Sequence, residues 1–469
     1  MSYIVPIGPY HPALEEPVHA KLYTEGEVIK DAEVMVGYNH RGIEKLATER
    51  NAIQTLVLVE RVCGICSHSH AFTYAMAVEG LNEIEVPKRG QYIRVITAEL
   101  ERLHSHLLWA GIACHIIGHD SMFMHTWDVR ELIMDMLEEL SGNRVNYAMV
   151  TIGGARRDIS EDMRRDFLAK LDKVGPIVDR IVEICLNDKT IAMRTKGVGV
   201  MSTEDAIRMG AVGPHARASG VKIDVRRDAP YSSYDDFEFD VPTCDSCDVF
   251  ARVVVRLLEC YESVKILRQA LENLPAGPIN LGNKIPKIKE GEFVARHEAP
   301  RGQLSHKVAG NGGQMNQRVS IHVPSYKNTP TAPHMLRGNT VADAGPLIAS
   351  IDPCFSCLDR RYARACGNAE RRGPLRAGGR RARLSPGAEH KSRGRCGQRH
   401  SARVHVRVLP RGGARQRGRG GAARDPGHPR RHRVPGLRLF RRGPRRRVPP
   451  LRGLGLPPHT GQGVLYRFN

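Results

Sequence analysis

Two Cys-x-x-Cys pairs stand far apart in this chain of 469 residues. They are Cys63-Gly-Ile-Cys66 and Cys354-Phe-Ser-Cys357, and almost 290 residues lie between them. In a zinc finger, both pairs lie within about 15–20 residues of each other. Here the chain between the pairs has to fold before they can meet. The spacing therefore predicts a large globular body that closes around one sulfur site.

The charge of the chain changes abruptly after residue 360. Residues 361–469 carry 30 of the 71 basic residues and only three acidic ones, and 29 of those 30 are arginine. Residues 1–360 carry 41 basic and 47 acidic residues, a net charge of −6, so the overall charge of +21 comes from the C-terminal segment. We therefore expect one domain at 1–360 and an Arg/Gly/Pro-rich tail at 361–469.

The tail has no clear apolar periodicity, and we expect it to be disordered because it cannot bury enough apolar surface. Three interpretations compete: a nucleic-acid-binding arm, a removable extension, and translation of GC-rich DNA in the wrong frame. Binding of single strands needs aromatic side chains for stacking, and the tail has few, which argues against nucleic acid as a partner. The sudden excess of arginine over lysine favours the wrong frame. The aromatic residues of the tail are Tyr362, Phe440, Tyr466 and Phe468.

The domain at 1–360 has the pattern of a mainly α protein. Apolar residues recur at helical spacing over 43–62, 70–81, 88–118, 122–142, 160–187 and 247–273. Residues 1–45 alternate as short strands and turns, which predicts a small N-terminal β region, and 188–246 and 275–350 are expected to be irregular. The start of the chain has no secretory signal pattern and no apolar run reaches the ~18 residues of a membrane span. Nine cysteines in this domain then indicate a reducing, cytoplasmic compartment in which thiols bind metal.

Sulfur ligands at this spacing favour zinc, iron–sulfur clusters, copper(I) or nickel. From the two pairs alone, a closed zinc site and a redox dithiol both stay open. A third pair, Cys244-Asp-Ser-Cys247, precedes a helix without a matching motif and is interpreted as incidental. Three further cysteines lie on apolar helix faces and are expected in the core: Cys114, Cys185 and Cys260.

The residues around the two pairs carry a resemblance to a known family. Arg61-Val-Cys-Gly-Ile-Cys66 followed by His70, and Asp352-Pro-Cys-Phe-Ser-Cys357 followed by Arg360, resemble the two metal-binding motifs of the [NiFe]-hydrogenase large subunit. The stretches that begin at Gly8, His40 and Glu99 resemble its energy-converting, membrane-associated branch, which includes Ech-type and formate-hydrogenlyase enzymes. This branch is similar to the 49-kDa quinone-site subunit of complex I, which lacks the four cysteines. A complex-I-like quinone-site subunit is therefore the alternative.

The resemblance implies a helical-bundle core and reversible heterolytic cleavage of H2 at a nickel–iron centre, whose iron carries two cyanides and one carbon monoxide. It implies that Cys63 and Cys354 are terminal nickel ligands and that Cys66 and Cys357 bridge the two metals. Cys354 would also be the proton base. Other residues matched to the family are Glu16 as a proton gate, Arg301 beside the open metal position, Asp352 as its anchor, His70 as a hydrogen-bond donor to a bridging sulfur, and Glu44 as ligand of a second cation, Mg or Fe, near the C-terminus.

The resemblance also implies partners. With the four motif cysteines assigned to nickel, no ligands are left for an iron–sulfur cluster in this chain, so electrons would pass to a small subunit with a [4Fe-4S] cluster. Integral-membrane, ion-translocating subunits would hold the protein on the cytoplasmic face of the membrane. Nickel-insertion factors and a maturation protease that cuts after Arg360 would complete the enzyme.

Overall fold

The computed structural model describes residues 2–11, 16–282 and 286–359. Its strands form three antiparallel sheets. The first has the order β1-β2-β3, the second pairs β4 with β5, and the third has the order β6-β7-β8. The strands are β1 Ser2–Ile7, β2 His19–Glu25, β3 Val28–Met35, β4 Val150–Thr151, β5 Gly154–Ala155, β6 Gly291–Ala299, β7 Gly302–Gly310 and β8 Arg318–His322.

Helices make up most of the remainder. The long ones are α3 Ser67–Asn82, α4 Lys88–Ile116, α5 Asp120–Ser141, α6 Glu161–Asn187 and α11 Val249–Glu272. The short ones are α1 Ile43–Ala47, α2 Ala52–Glu60, α7 Lys189–Thr195, α8 Thr203–Arg208, α9 Pro214–Arg217, α10 Val225–Asp228, α12 Pro324–Asn328, α13 Ala332–Leu336, α14 Ala344–Ser350 and α15 Phe355–Leu358.

One core lies inside a bundle of α4, α5, α6 and α11. Helix α6 shows why these segments are helical. Ser160 caps its start by accepting a hydrogen bond from Met163 N at 3.2 Å, and Phe167, Leu171 and Val174 lie buried at three-and-four spacing. The matching apolar faces of the four helices exclude water along the bundle axis.

A second core surrounds α3, which packs against α2 on one side and against β6 and β7 on another. This core also takes in the N-terminal sheet, α13, α14 and α15. All four motif cysteines belong to it and are buried. The sulfur site therefore lies beside the bundle, where both ends of the domain meet.

The prediction of a mainly α fold with a small N-terminal β region is confirmed, and most helix boundaries agree within three residues. The segment 43–62 is two helices, because Asn51 and Gln54 exchange side-chain and backbone hydrogen bonds and start α2 anew. The sheet β6-β7-β8 was missed within 275–350, since the first four residues of β6 are exposed and the strand carries the polar residues Glu292 and Arg296 in place of a clean apolar alternation.

The predicted disordered tail at 361–469 lies outside the described residues. Within the described part of the chain, no helix combines the length and the apolar character that a membrane span requires.

Candidate metal centre

Four local structures bring the motif cysteines together. Cys63 follows α2, Cys66 is the N-cap of α3, Cys354 is the N-cap of α15, and Cys357 lies within α15. Cys63 Sγ and Cys354 Sγ are 3.5 Å apart, and Cys66 Sγ and Cys357 Sγ are 3.9 Å apart. Each close contact thus joins one cysteine from each motif.

These sulfur spacings suit a metal site. The sulfur atoms of Cys63, Cys66 and Cys357 all lie within 4.8 Å of one another, and Cys354 joins through Cys63. A metal at about 2.3 Å from four tetrahedral sulfurs sets them about 3.8 Å apart. The donor set is therefore preorganised for a thiolate-bound metal.

Cys63 is the most acidic of the four thiols. Its sulfur accepts hydrogen bonds from the backbone N–H groups of Ile65 at 3.4 Å and Cys66 at 3.3 Å. Hydrogen bonds from the neighbouring thiols, first among them Cys354, lower the pKa of Cys63 well below its usual value. Burial raises the pKa of Cys357. One thiolate stabilised by its neighbours is the expected starting state for metal binding, because the thiolate is the ligand.

Arg301 occupies the two-residue turn between β6 and β7, where Ala299 pairs with Gly302. The turn packs directly on the start of α9, since a Cβ atom on Gly302 would lie 2.8 Å from the Cα atom of Gly213. The side chain of Arg301 is only 4% exposed and pairs with Asp352, with Nη2 2.6 Å from Oδ1 and Nε 2.9 Å from the backbone oxygen. The fold therefore holds this guanidinium in a fixed, dry position.

Asp352 owes its orientation to an unusual backbone. Its φ of 56° lies in the left-handed region, which Asp tolerates better than most residues. This turn lets its carbonyl and its carboxylate both face Arg301, two residues before Cys354. The sequence Asp352-Pro353 is also compatible with a simple turn. The structure shows both a turn and an ion pair.

One donor of Arg301 lacks a hydrogen-bond partner among the described residues. Nη1 is buried and makes no hydrogen bond to the described residues. Burial alone would lower the pKa of Arg301, but the fields of Asp352 and of Cys354 and Cys63 raise it well above its usual value. A buried, unpaired N–H beside thiolates is costly unless an acceptor is supplied. An anionic ligand of a bound metal would satisfy it, so the residues present fit such a group.

His70 lies one turn after Cys66 on α3. Its Nε2 is 3.5 Å from Cys357 Sγ and its Nδ1 is 3.2 Å from His306 Nε2. Sequence analysis matched His70 to the motif and missed His306. An alternating pattern could have indicated His306, because 302, 304, 306 and 308 are buried and alternate with less buried positions over the first six residues of β7. His306 lies on the same face of that strand as Leu304.

Glu16 lies at the start of α15. Its carboxylate accepts hydrogen bonds from the N–H groups of Phe355 and Ser356 and, at 2.8 Å, from Ser356 Oγ. These are the two residues that follow Cys354, so the carboxylate is adjacent to the candidate proton base. The adjacent acidic residue, Glu15, lies outside the described residues.

Glu44 is buried, but its contacts are structural. Oε1 accepts a hydrogen bond from Ile321 N at 2.9 Å, and Oε2 lies 3.6 Å from Arg318 Nη2. Within the described ranges, Glu44 joins no group of three or more potential metal ligands. The second cation stays a prediction. Arg360, the predicted cleavage point, lies outside the described residues.

A further residue holds the two motifs together. Arg41 donates hydrogen bonds to the carbonyl oxygens of Arg61 at 2.6 Å, Val62 at 2.7 Å and Ser356 at 2.8 Å. Sequence analysis used Arg41 only as part of the family resemblance. Its acceptors are backbone atoms from both ends of the domain, which no pattern of side chains encodes.

Among the residues that the structure describes, the other five cysteines do not join the site. Cys114, Cys185 and Cys260 are buried, as expected of core residues. Cys244 contacts Ser246 Oγ at 3.4 Å, and Cys247 lies near Asp245 O at 3.3 Å. Within the described ranges, neither belongs to a group of three potential ligands.

Known proteins match this chain in sequence. Residues 117–289 and 280–360 match the family model of the respiratory-chain NADH dehydrogenase 49-kDa subunit, and residues 41–110 match that of nickel-dependent hydrogenase. The chain is 41% identical to the carbon monoxide-induced hydrogenase of Rhodospirillum rubrum, over 76% of this chain and 99% of that protein. It is 44% identical to the membrane-bound hydrogenase subunit alpha of Pyrococcus furiosus, over 76% of this chain and 87% of that subunit.

A solved structure shows the same fold. A chain of the membrane-bound sulfane sulfur reductase, an archaeal respiratory membrane complex, superposes with a TM-score of 0.73 at 30% identity, covering 76% of this chain and 98% of the other. Fold and site thus define an oxidoreductase subunit of the kind found in membrane-bound complexes. The chain belongs to the family that joins the large subunits of energy-converting [NiFe] hydrogenases with the 49-kDa subunit of complex I.

Proposed function

We propose that this chain is the catalytic subunit of an energy-converting [NiFe] hydrogenase, which interconverts H2 with two protons and two electrons. One observation carries the proposal: four buried sulfurs from opposite ends of the domain converge beside Arg301, whose Nη1 is buried and unpaired. A nickel–iron centre with two cyanides and one carbon monoxide, when bound, would supply the activation of H2.

The cross-paired sulfurs support the assignment of ligands. Cys63 and Cys354 would hold nickel as terminal ligands, and Cys66 and Cys357 would bridge nickel and iron. His70 would donate its Nε2 proton to the bridging sulfur of Cys357, 3.5 Å away. Arg301 Nη1 would donate to an anionic ligand of the centre, without releasing its own proton.

Proton transfer would begin at Cys354 Sγ. Glu16 is the next acceptor, because its carboxylate is bound to the two residues that follow Cys354. Its half-buried position connects the dry site with the surface. A second cation, Mg or Fe, would use Glu44 near the C-terminal end of the domain.

The proposed enzyme needs partners. Electrons would leave through a small subunit with a [4Fe-4S] cluster, and integral-membrane ion-translocating subunits would anchor the complex on the cytoplasmic face of the membrane. Residues 1–360 would form the mature domain. Nickel-insertion factors and a protease acting after Arg360 would produce it, with 361–469 removed or, as a wrong-frame product, functionless.

A complex-I-like quinone-site subunit is the second candidate. The match of 117–360 to the 49-kDa family model favours it. Such a subunit needs no nickel, so metal content separates the two candidates.

Native mass spectrometry of this subunit purified from its own host, combined with infrared spectroscopy, tests the proposal. We expect a chain ending at Arg360 that carries one nickel and one iron and shows CO and CN stretching bands. A chain that holds zinc, or no nickel, would overturn the hydrogenase assignment.

A further inference from the structure

Two buried arginines of α11 have no ion pair within the described part of the chain. Arg252 and Arg256, one turn apart on α11 and called here the cationic pair, are 0% and 1% exposed. Among the described residues, no carboxylate oxygen lies within 4 Å of either guanidinium. The Nε atoms of both also lack a hydrogen-bond partner within the described ranges. Burying a guanidinium without a counter-ion is costly, so the missing negative charge requires an explanation.

Asp248, the buried N-cap of α11, acts on Arg252 through space, whereas the carboxylates that act on Arg256 are already paired with other arginines. Arg102, Arg217 and Arg226 form ion pairs with four buried carboxylates, those of Glu99, Asp224, Glu259 and Glu298. Burial raises the pKa of Glu298 to about 6, so this group carries a net charge between −1 and zero near neutral pH. The Arg301–Asp352 pair is neutral. With Asp248 counted, the cationic pair brings this layer to a net charge between zero and +1, and Arg256 is the arginine left without a carboxylate of its own.

The cationic pair contacts the end of α14, the helix that precedes the second cysteine motif. Arg252 donates to Ser350 Oγ at 3.1 Å. The guanidinium of Arg256 lies 4.0 Å from the centre of the Trp109 ring, and Trp109 Nε1 donates to Ala349 O at 2.8 Å. Ala349 and Ser350 end α14, and Ser350 lies two residues before Asp352. Through space, the nearest carboxylates that act on Arg256 are Asp352, held by Arg301, and Glu259, held by Arg217.

An assembled nickel–iron centre would carry the negative charge that the cationic pair lacks. Four thiolates and two cyanides outweigh two divalent metal ions, which leaves a net formal charge of about −2. Burial lowers the pKa of Arg256 to about 10, so its side chain stays protonated at neutral pH. We propose that the cationic pair Arg252 and Arg256 supplies the counter-charge of the nickel–iron centre, acting through Asp352 and Arg301. This inference rests on the proposed function.

Arg256 is thus a positioning and charge-compensating residue that does not touch the metals. Methionine at this position keeps an unbranched side chain against Trp109 but removes the charge. Lysine keeps the charge but loses the planar stacking. Arg268→Met is the matched control, since Arg268 lies on the same helix but is surface-exposed and paired with Asp172.

Infrared spectroscopy of the purified holo-complex tests the idea. In Arg256→Met, loss of a nearby positive charge raises the electron density on iron, so the CO and CN bands should move to lower wavenumber by several cm⁻¹. Arg256→Lys should keep them close to wild type, and Arg268→Met should leave them unchanged. Should Arg256→Met fail to accumulate, Arg252→Met carries the same expectation, with the same control.

A second measurement separates charge compensation from a purely structural role. In the full chain produced without nickel insertion, the counter-charge is absent, so Arg256→Met should melt at the wild-type temperature or above it. Bands at wild-type positions in Arg256→Met, or an equal shift in Arg256→Lys, would overturn the inference while leaving the hydrogenase assignment intact. A wild-type complex without nickel and without CO and CN bands would overturn both.

Discussion

Cys63 Sγ lies 3.5 Å from Cys354 Sγ, although 291 positions separate these residues in the sequence. Cys63 follows a helix of the N-terminal third, and Cys354 starts the last helix that the structure describes. Their contact therefore requires both ends of the domain to be in place. Because these candidate ligands meet only in the folded chain, a metal bound by them would be thermodynamically linked to folding.

The first prediction concerns these thiols. Cys354→Ser should reduce bound nickel to background and abolish H2 oxidation, because a hydroxyl is a poor replacement for a soft thiolate ligand. Metal analysis of the purified complex is the measurement. Cys244→Ser, in the third pair, is the control and should keep full nickel. Normal nickel content in Cys354→Ser would contradict the assigned ligand set.

The second prediction concerns the guanidinium of Arg301. Arg301→Lys keeps the positive charge but loses the planar fork that contacts Asp352 and carries the unpaired Nη1. We expect H2 oxidation to fall roughly 10²–10³-fold, the usual cost of removing a preorganised donor. Nickel content should stay at the wild-type level. Equal loss of nickel and activity would instead indicate a role in assembly.

The third prediction concerns the partner of that arginine. Asp352→Asn keeps the side-chain shape and tolerates the left-handed backbone, but it leaves Arg301 buried without its counter-ion. Breaking a buried pair in this way costs roughly 3–5 kcal/mol. Urea denaturation should show this loss in the free energy of unfolding. Asp31→Asn, which breaks the exposed pair with Arg337, is the control and should change stability by less than about 1 kcal/mol.

Much of the site could be predicted from local sequence, and its surroundings could not. The two motifs, through their resemblance to the hydrogenase family, pointed to the four cysteines and His70, which the structure brings together. The long helices α4 and α6 follow from apolar periodicity alone. The roles of His306 and Arg41 could not be predicted, because their hydrogen-bond partners come from distant segments and are defined only by tertiary packing. The sheet β6-β7-β8 was not predicted because its edge strand β6 is half exposed and carries polar residues.

The fourth prediction concerns proton exit through Glu16. Glutamine can still accept the N–H groups of Phe355 and Ser356, so Glu16→Gln should leave the fold and the nickel content unchanged. It cannot carry a proton onward, and dye-linked H2 oxidation should fall roughly 10²-fold or more. Glu27→Gln, an exposed site between β2 and β3, is the control. Wild-type turnover in Glu16→Gln would place the proton exit elsewhere.

The fifth prediction concerns Glu101, a buried acid on α4 one helix away from the cysteines. Its carboxyl group is hydrogen-bonded to Ser69 Oγ and to the N–H groups of His68 at 2.7 Å and Ser69 at 3.0 Å. These bonds lower its pKa less than burial raises it, and the result is a pKa of about 8. The folded protein therefore keeps this proton at a pH where the unfolded chain has released it.

Because its pKa is raised in the folded state, Glu101 stabilises the folded protein most at low pH. The stabilisation that Glu101 contributes is complete below the unfolded pKa of about 4.3, declines by roughly 1.4 kcal/mol per pH unit above it, and stops declining above the folded pKa. Glutamine cannot titrate. Urea denaturation at pH 5, 6.5 and 8 should therefore show wild type losing stability relative to Glu101→Gln as the pH rises. Parallel pH profiles of the two proteins would mean that Glu101 is ionised in the folded state, with a cation or water not accounted for beside Ser69.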